Sequence, residues 1–126
     1  MANYKHFYEL PVYKTCRNFR KEISSVIKNF PKEEKFLLTA QLLDSSRSIT
    51  ANIAEGFGRF HYQENIQFCR QGRGSLTETM EHLVTAYDEN YIDKNILKSL
   101  NLIYKSCLKE INTYITYLLT AKSVNN

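Results

Sequence analysis

The chain has 126 residues, enough for one domain built on a single hydrophobic core. Only 4 glycines and 2 prolines occur, too few for the many tight turns of a β-rich fold, so the composition favours a few long helices. The net charge of +4 permits a nucleic-acid partner without requiring one, and no run approaches the roughly 20 apolar residues of a membrane span.

The first residues, Met1-Ala2-Asn3-Tyr4-Lys5-His6, lack the apolar centre of a signal peptide, so the expected location is the cytoplasm. Residues 1–10 read as an extended lead-in, tied to the body by Tyr4, Phe7, Tyr8 and Leu10. Pro11 suits the first position of a helix, where its missing N–H costs nothing. The periodicity then predicts a helix over about 11–29, with Val12, Cys16, Phe19, Ile23, Val26, Ile27 and Phe30 on one side. Lys14, Arg17, Lys21 and Lys28 collect opposite, as a solvated face or as a phosphate-contacting one.

Phe30-Pro31 breaks this helix, and Lys32-Glu33-Glu34 is expected to start a second one over about 32–55. Leu38, Leu42, Ile49 and Ile53 form its apolar row, and Phe36, Leu37 and Leu43 lie off that row and widen it. Ser48, Asn52 and Glu55 make a separate polar row, read either as a wet face or as a hydrogen-bonding seam. Gly56 is expected to close the helix in the left-handed conformation. The pair Gly56-x-Gly58 is no phosphate loop, because the third glycine and the preceding strand are missing.

A third helix is predicted over about 62–87, with Ile66, Cys69, Leu76, Met80, Leu83, Val84 and Tyr87 inward. Gly72 and Gly74 sit inside it and read as places of close packing. Arg70 and Arg73 lie beside its apolar stripe, as ion-pair partners for Glu55 or Glu78 or as an anion site. Asp93 is a plausible N-cap for a fourth helix over about 94–121. Ile96, Leu100, Ile103, Tyr104, Cys107, Leu108, Ile111, Ile115, Leu118 and Leu119 are expected inward, and Lys94, Lys98, Lys105 and Lys109 align opposite. Ser123 to Asn126 reads as a short polar tail. Four amphipathic helices with short links predict an all-α, antiparallel up-down-up-down four-helix bundle, a single domain over 1–126.

The 3 cysteines, Cys16, Cys69 and Cys107, are far apart and fall at apolar positions, which suits core packing better than zinc. His6, His61 and His82 have no nucleophile in a recognisable motif beside them. Glu78 and Glu81 precede His82 at the wrong spacing for a di-iron bundle, although Glu55 and Glu78 could face one another as paired carboxylates. The expectation is a non-enzyme with no cofactor and no metal.

The run Ser48-Ile49-Thr50-Ala51-Asn52-Ile53-Ala54-Glu55-Gly56-Phe57-Gly58-Arg59 resembles the signature of the 23S rRNA intervening-sequence proteins, small bacterial four-helix bundles. Phe7, Leu10, Val12, Tyr13 and Lys14 resemble that family's opening, and Gly74-Ser75-Leu76-x-Glu78 its third-helix motif. Leu43 and Asp44 stand where the family often has basic residues, Thr50 where proline is common and Arg73 where alanine is usual. The resemblance implies small homo-oligomers, often rings of five. It also implies a link to RNA: members are encoded within insertions in rRNA genes, and a related accessory protein binds a reverse transcriptase and nucleic acid.

Two classes of function follow. One is a homo-oligomer that binds RNA or single-stranded DNA through Lys14, Arg17, Lys21, Arg59, Arg70, Arg73, Lys94, Lys98, Lys105 and Lys109, with Phe60 and Tyr62 able to stack on unpaired bases. The other is a scaffold that holds a protein partner without binding nucleic acid. Ser48, Asn52, Glu55, Gly56, Ser75 and Glu78 are the candidate structural or interface residues.

Overall fold

The computed structural model describes residues 4–125; the expectations for residues 1–3 and Asn126 lie outside them. The main elements are α1 (Pro11–Val26), α2 (Leu38–Gly58), α3 (Tyr62–Asp88) and α4 (Lys94–Asn125). Each helix packs on its chain neighbour, and α1 also packs on α4, which closes an antiparallel four-helix bundle.

The lead-in is a single 3-10 turn over Phe7–Glu9, with Phe7 packed edge-on against Tyr13 at 4.9 Å and Leu10 buried. Pro11 opens α1, which buries Val12, Cys16, Phe19 and Ile23. Its last turn tightens into a 3-10 turn over Ile27–Asn29, and Phe30 leaves in the extended conformation that a following proline demands. Phe30 stays buried and meets Tyr91 at 5.5 Å.

α2 starts later than its acidic lead suggests. Lys32–Glu34 forms only a 3-10 turn, and Leu37 leaves helical geometry at φ −118° and ψ −109°. The Glu34 carboxylate accepts the Leu38 amide at 3.2 Å, so it serves the true start of α2 from four residues upstream. Phe36 and Leu37 therefore add nothing to an apolar face of α2; they stand 82% and 59% exposed before it begins. Leu38, Leu42, Ile49 and Ile53 are buried as their spacing requires.

Gly56 does not close α2. The helix continues to Gly58, no glycine has positive φ, and the left-handed residue is Phe60 at φ 59°. Gly56 is buried against α3 instead: a Cβ placed there would meet Asn65 Oδ1 at 2.7 Å and Phe68 Cβ at 2.9 Å. α3 runs unbroken through Gly72 and Gly74. A Cβ on Gly72 would lie 3.3 Å from the Ile49 carbonyl, whereas Gly74 faces open space. α3 ends on Asn90 at φ 63°, with the Tyr91 amide donating to the Ala86 carbonyl at 2.9 Å. Asp93 caps α4 by accepting the Ile96 amide at 2.8 Å.

Some residues assigned inward by spacing are at the surface. Val84, Tyr87, Ile96 and Leu119 are exposed, because the bundle is narrower than the apolar arcs of α3 and α4. Two members of the polar row of α2, Ser48 and Asn52, resolve as a seam with α3, whereas Glu55 is exposed and pairs with Arg59. Ser48 and Ser75 hydroxyls lie 2.9 Å apart, and Asn52 donates to the Ser48 carbonyl at 2.8 Å. One turn further along, buried Thr79 lies 2.8 Å from Ser45 Oγ and 2.7 Å from the Ser75 carbonyl. A carbonyl can only accept, so if Thr79 gives its one proton to Ser75, the Ser45 hydroxyl must donate to Thr79.

Candidate nucleic-acid interface

α4 carries Lys94, Lys98, Lys105 and Lys109 on its outer side, all exposed. The fold brings Arg73 of α3 to this row: its guanidinium donates to Asn112 Oδ1 at 2.8 Å. Asn112 stands three and seven residues after Lys109 and Lys105, hence on the same side of α4. Arg73 therefore makes no ion pair with Glu55 or Glu78. Arg70, one turn before Arg73, is exposed beside it.

On the other flank of α4, Lys14 of α1 shares a groove with Ile103, Ser106 and Glu110. Arg17 and Lys21 continue the Lys14 row toward the outer side of α1, both exposed. The surface is thus centred on α4, with arginines of α3 on one side and the α1 row on the other. It is not purely basic, since Glu110 lies in the groove between α1 and α4 and Glu22 farther along it.

Arg59 stands apart. It pairs with Glu55 at 2.8 Å, reaches Glu64 at 4.0 Å and lies over the Phe68 ring at 5.1 Å. Its charge is spent on the α2–α3 corner. Among the described residues it is the only Lys or Arg with a carboxylate oxygen within 4 Å. Glu78 turns to His82 at 3.2 Å. Because Ser48 pairs with Ser75 and Ser45 with Thr79, Glu78 lies opposite the middle of α2, and Glu55 and Glu78 do not face one another.

The three cysteines are free and buried. Burial pushes the Cys69 thiol up to about 12, and Cys16 is raised by the Cys107 thiol beside it and by burial. Among the described residues no group of three or more His, Cys, Asp and Glu is placed to hold a metal, and no helix is long and apolar enough to cross a membrane.

A cavity of about 400 Å³ opens at the α2–α3 corner, between that turn, the lead-in and the far part of α4. Phe57, Phe60, Tyr62, Asn65, Tyr114 and Tyr117 are among its walls. Of these, Phe60 and Tyr62 were legible as exposed aromatics in the sequence. Asn65, Tyr114 and Tyr117 were not, because nothing in the sequence aligns positions 57–65 with positions 114–117.

These features define an antiparallel all-α bundle with a basic surface centred on its last helix. The chain belongs to the 23S rRNA-intervening sequence protein family, whose model matches residues 8–113. No curated protein matches it. The matched stretch holds all ten basic candidates, while Tyr114, Tyr117 and Leu118 of the cavity wall lie beyond it.

Proposed function

We propose that the protein is a non-catalytic, homo-oligomeric bundle of the cytoplasm that binds RNA or single-stranded DNA through the α4-centred surface. The carrying observation is that Lys94, Lys98, Lys105 and Lys109 are exposed and have no carboxylate oxygen within 4 Å among the described residues, while Arg73 is held beside them by a neutral side chain. Lysines that serve as internal ion-pair partners would be neutralised; these keep their charge for a polyanion. Family membership supports both the RNA link and an assembly of several copies, a ring of five among them. Arg59 has no part in this surface, because its partners are on its own corner.

Converting Lys94, Lys98, Lys105 and Lys109 to Glu is expected to abolish binding to single-stranded RNA while leaving the helical spectrum unchanged. Wild-type binding that survives the change refutes the reading.

A second reading, a scaffold for a protein partner, is favoured by Leu102, which is 67% exposed on α4 between Lys98 and Lys105. Under that reading the solution mass exceeds that of one chain or a partner is retained, and added RNA changes neither.

A further inference from the structure

The aromatic cavity at the α2–α3 corner is not used by the lysine surface, yet both lie along α4. Lys109, Asn112, Thr113 and Thr116 line a shallow dip on α4, and Thr113 and Thr116 are the chain neighbours of Tyr114 and Tyr117 in the cavity wall. At about 1.5 Å per residue, Tyr117 lies about 12 Å along α4 from Lys109. On the far side, Lys122 is hydrogen-bonded to Gln63, next to Tyr62, and supplies a positive charge near the mouth.

The walls combine ring faces with hydrogen-bonding groups. Tyr114 and Tyr117 lie parallel to within 11°, with centroids 6.3 Å apart. Asn65 donates to Tyr114 Oη at 3.1 Å, so that hydroxyl accepts and keeps its own proton to give. Phe60 is held at φ 59° and the residue is 85% exposed. A left-handed backbone is costly for a bulky side chain, and here it keeps a large apolar ring in water at the rim. The volume falls in the range of small-ligand sites, about 300–1,000 Å³. An aliphatic side chain would fill the space but give the Tyr114 hydroxyl proton no acceptor. A flat heterocycle with polar edges satisfies both kinds of wall.

We propose that this cavity takes one unpaired nucleobase of the strand bound along α4, stacked against its aromatic walls. This rests on the nucleic-acid reading of the α4 surface, and the test separates the two.

Two probes are used with the full chain: AMP, followed through the tyrosine ring resonances, and a short single-stranded RNA carrying one 2-aminopurine. The chain has no tryptophan, which leaves the fluorescent base easy to read. AMP is expected to shift the Tyr114 and Tyr117 rings, and 2-aminopurine emission to be quenched on binding. Phe60→Gly removes the rim ring and relieves its strained backbone, so a loss is not a folding defect; it is expected to weaken AMP about tenfold or more. Lys105→Glu with Lys109→Glu is expected to weaken the RNA but leave the AMP shifts in place.

If the RNA binds in a salt-dependent way but AMP leaves these rings unmoved and the probe stays bright, the cavity proposal falls and the lysine surface stands. If AMP fills the cavity while lysine reversal leaves RNA binding intact, the lysine surface falls, and with it the placement of the bound base in a strand along α4. Shifts caused by N-acetyl-phenylalanine amide and not by AMP overturn the proposal in favour of a protein-docking pocket.

Discussion

At Gly56 a single added methyl group would sit 2.7 Å from Asn65 Oδ1 and 2.9 Å from Phe68 Cβ. Gly56→Ala is therefore expected to lose about 1–2 kcal/mol in urea unfolding, overpacking outweighing the gain in helix propensity. Gly74→Ala, with open space around it, is expected to gain up to about 1 kcal/mol. The two glycines are indistinguishable by type in the sequence; only the approach of α3 separates them. That approach also explains why Gly56 reads as a helix stop and is not one: a closing glycine and a close-packed glycine leave the same mark in a sequence. At Thr79, which is fully buried, Thr79→Val leaves the Ser45 hydroxyl unpaired and is expected to cost about 1–2 kcal/mol. Adding Ser45→Ala removes the orphaned group and is expected to recover most of that loss. The buried thiols give a further check. Cys69 rises from 9.0 to about 12 on burial, so the folded chain keeps a proton that the unfolded chain releases. Stability is then full below pH 9 and falls between pH 9 and about 12, at about 1.4 kcal/mol per pH unit for each such group. A urea midpoint that stays level from pH 9 to 11 contradicts this.

Among the elements, α1 was the most legible, because its apolar and basic residues follow one helical period. α4 was legible in its start and its lysine row, but Ile96 and Leu119 are exposed and the helix runs on to Asn125 through residues that read as a polar tail. The start of α2 was not. Glu33 and Glu34 carry the usual charge signal of a helix start, but the chain spends that signal on a 3-10 turn and bends at Leu37 before the helix begins. The basic rows were visible one helix at a time. Their meeting was hidden, because the Arg73–Asn112 contact depends on how far α3 and α4 are offset, and no local pattern states that offset. The cavity was hidden for the same reason, its walls coming from three stretches, the lead-in, positions 57–65 and positions 114–118, that only the closed bundle brings together. Asp93 tests an element boundary that the sequence marked correctly. Asp93→Ala is expected to lower stability by about 1 kcal/mol through the loss of the bond to the Ile96 amide, and Asp93→Asn to keep most of it.

For the whole molecule, the account rests on a division of labour. The α2–α3 pair holds the bundle through small residues and hydroxyls, and Arg59 is locked to its own corner by Glu55 and Glu64. That leaves α4 and its flanks to present unneutralised charge. The most direct test is the salt dependence of binding to a single-stranded RNA, for the wild-type chain and for the chain with Lys94, Lys98, Lys105 and Lys109 changed to Gln. Each phosphate contact contributes about 0.7 to the slope of log affinity against log salt, so engagement of all four lysines predicts a slope shallower by about 2.8 in the variant. Equal slopes for the two chains, or a wild-type affinity indifferent to salt, would contradict the account.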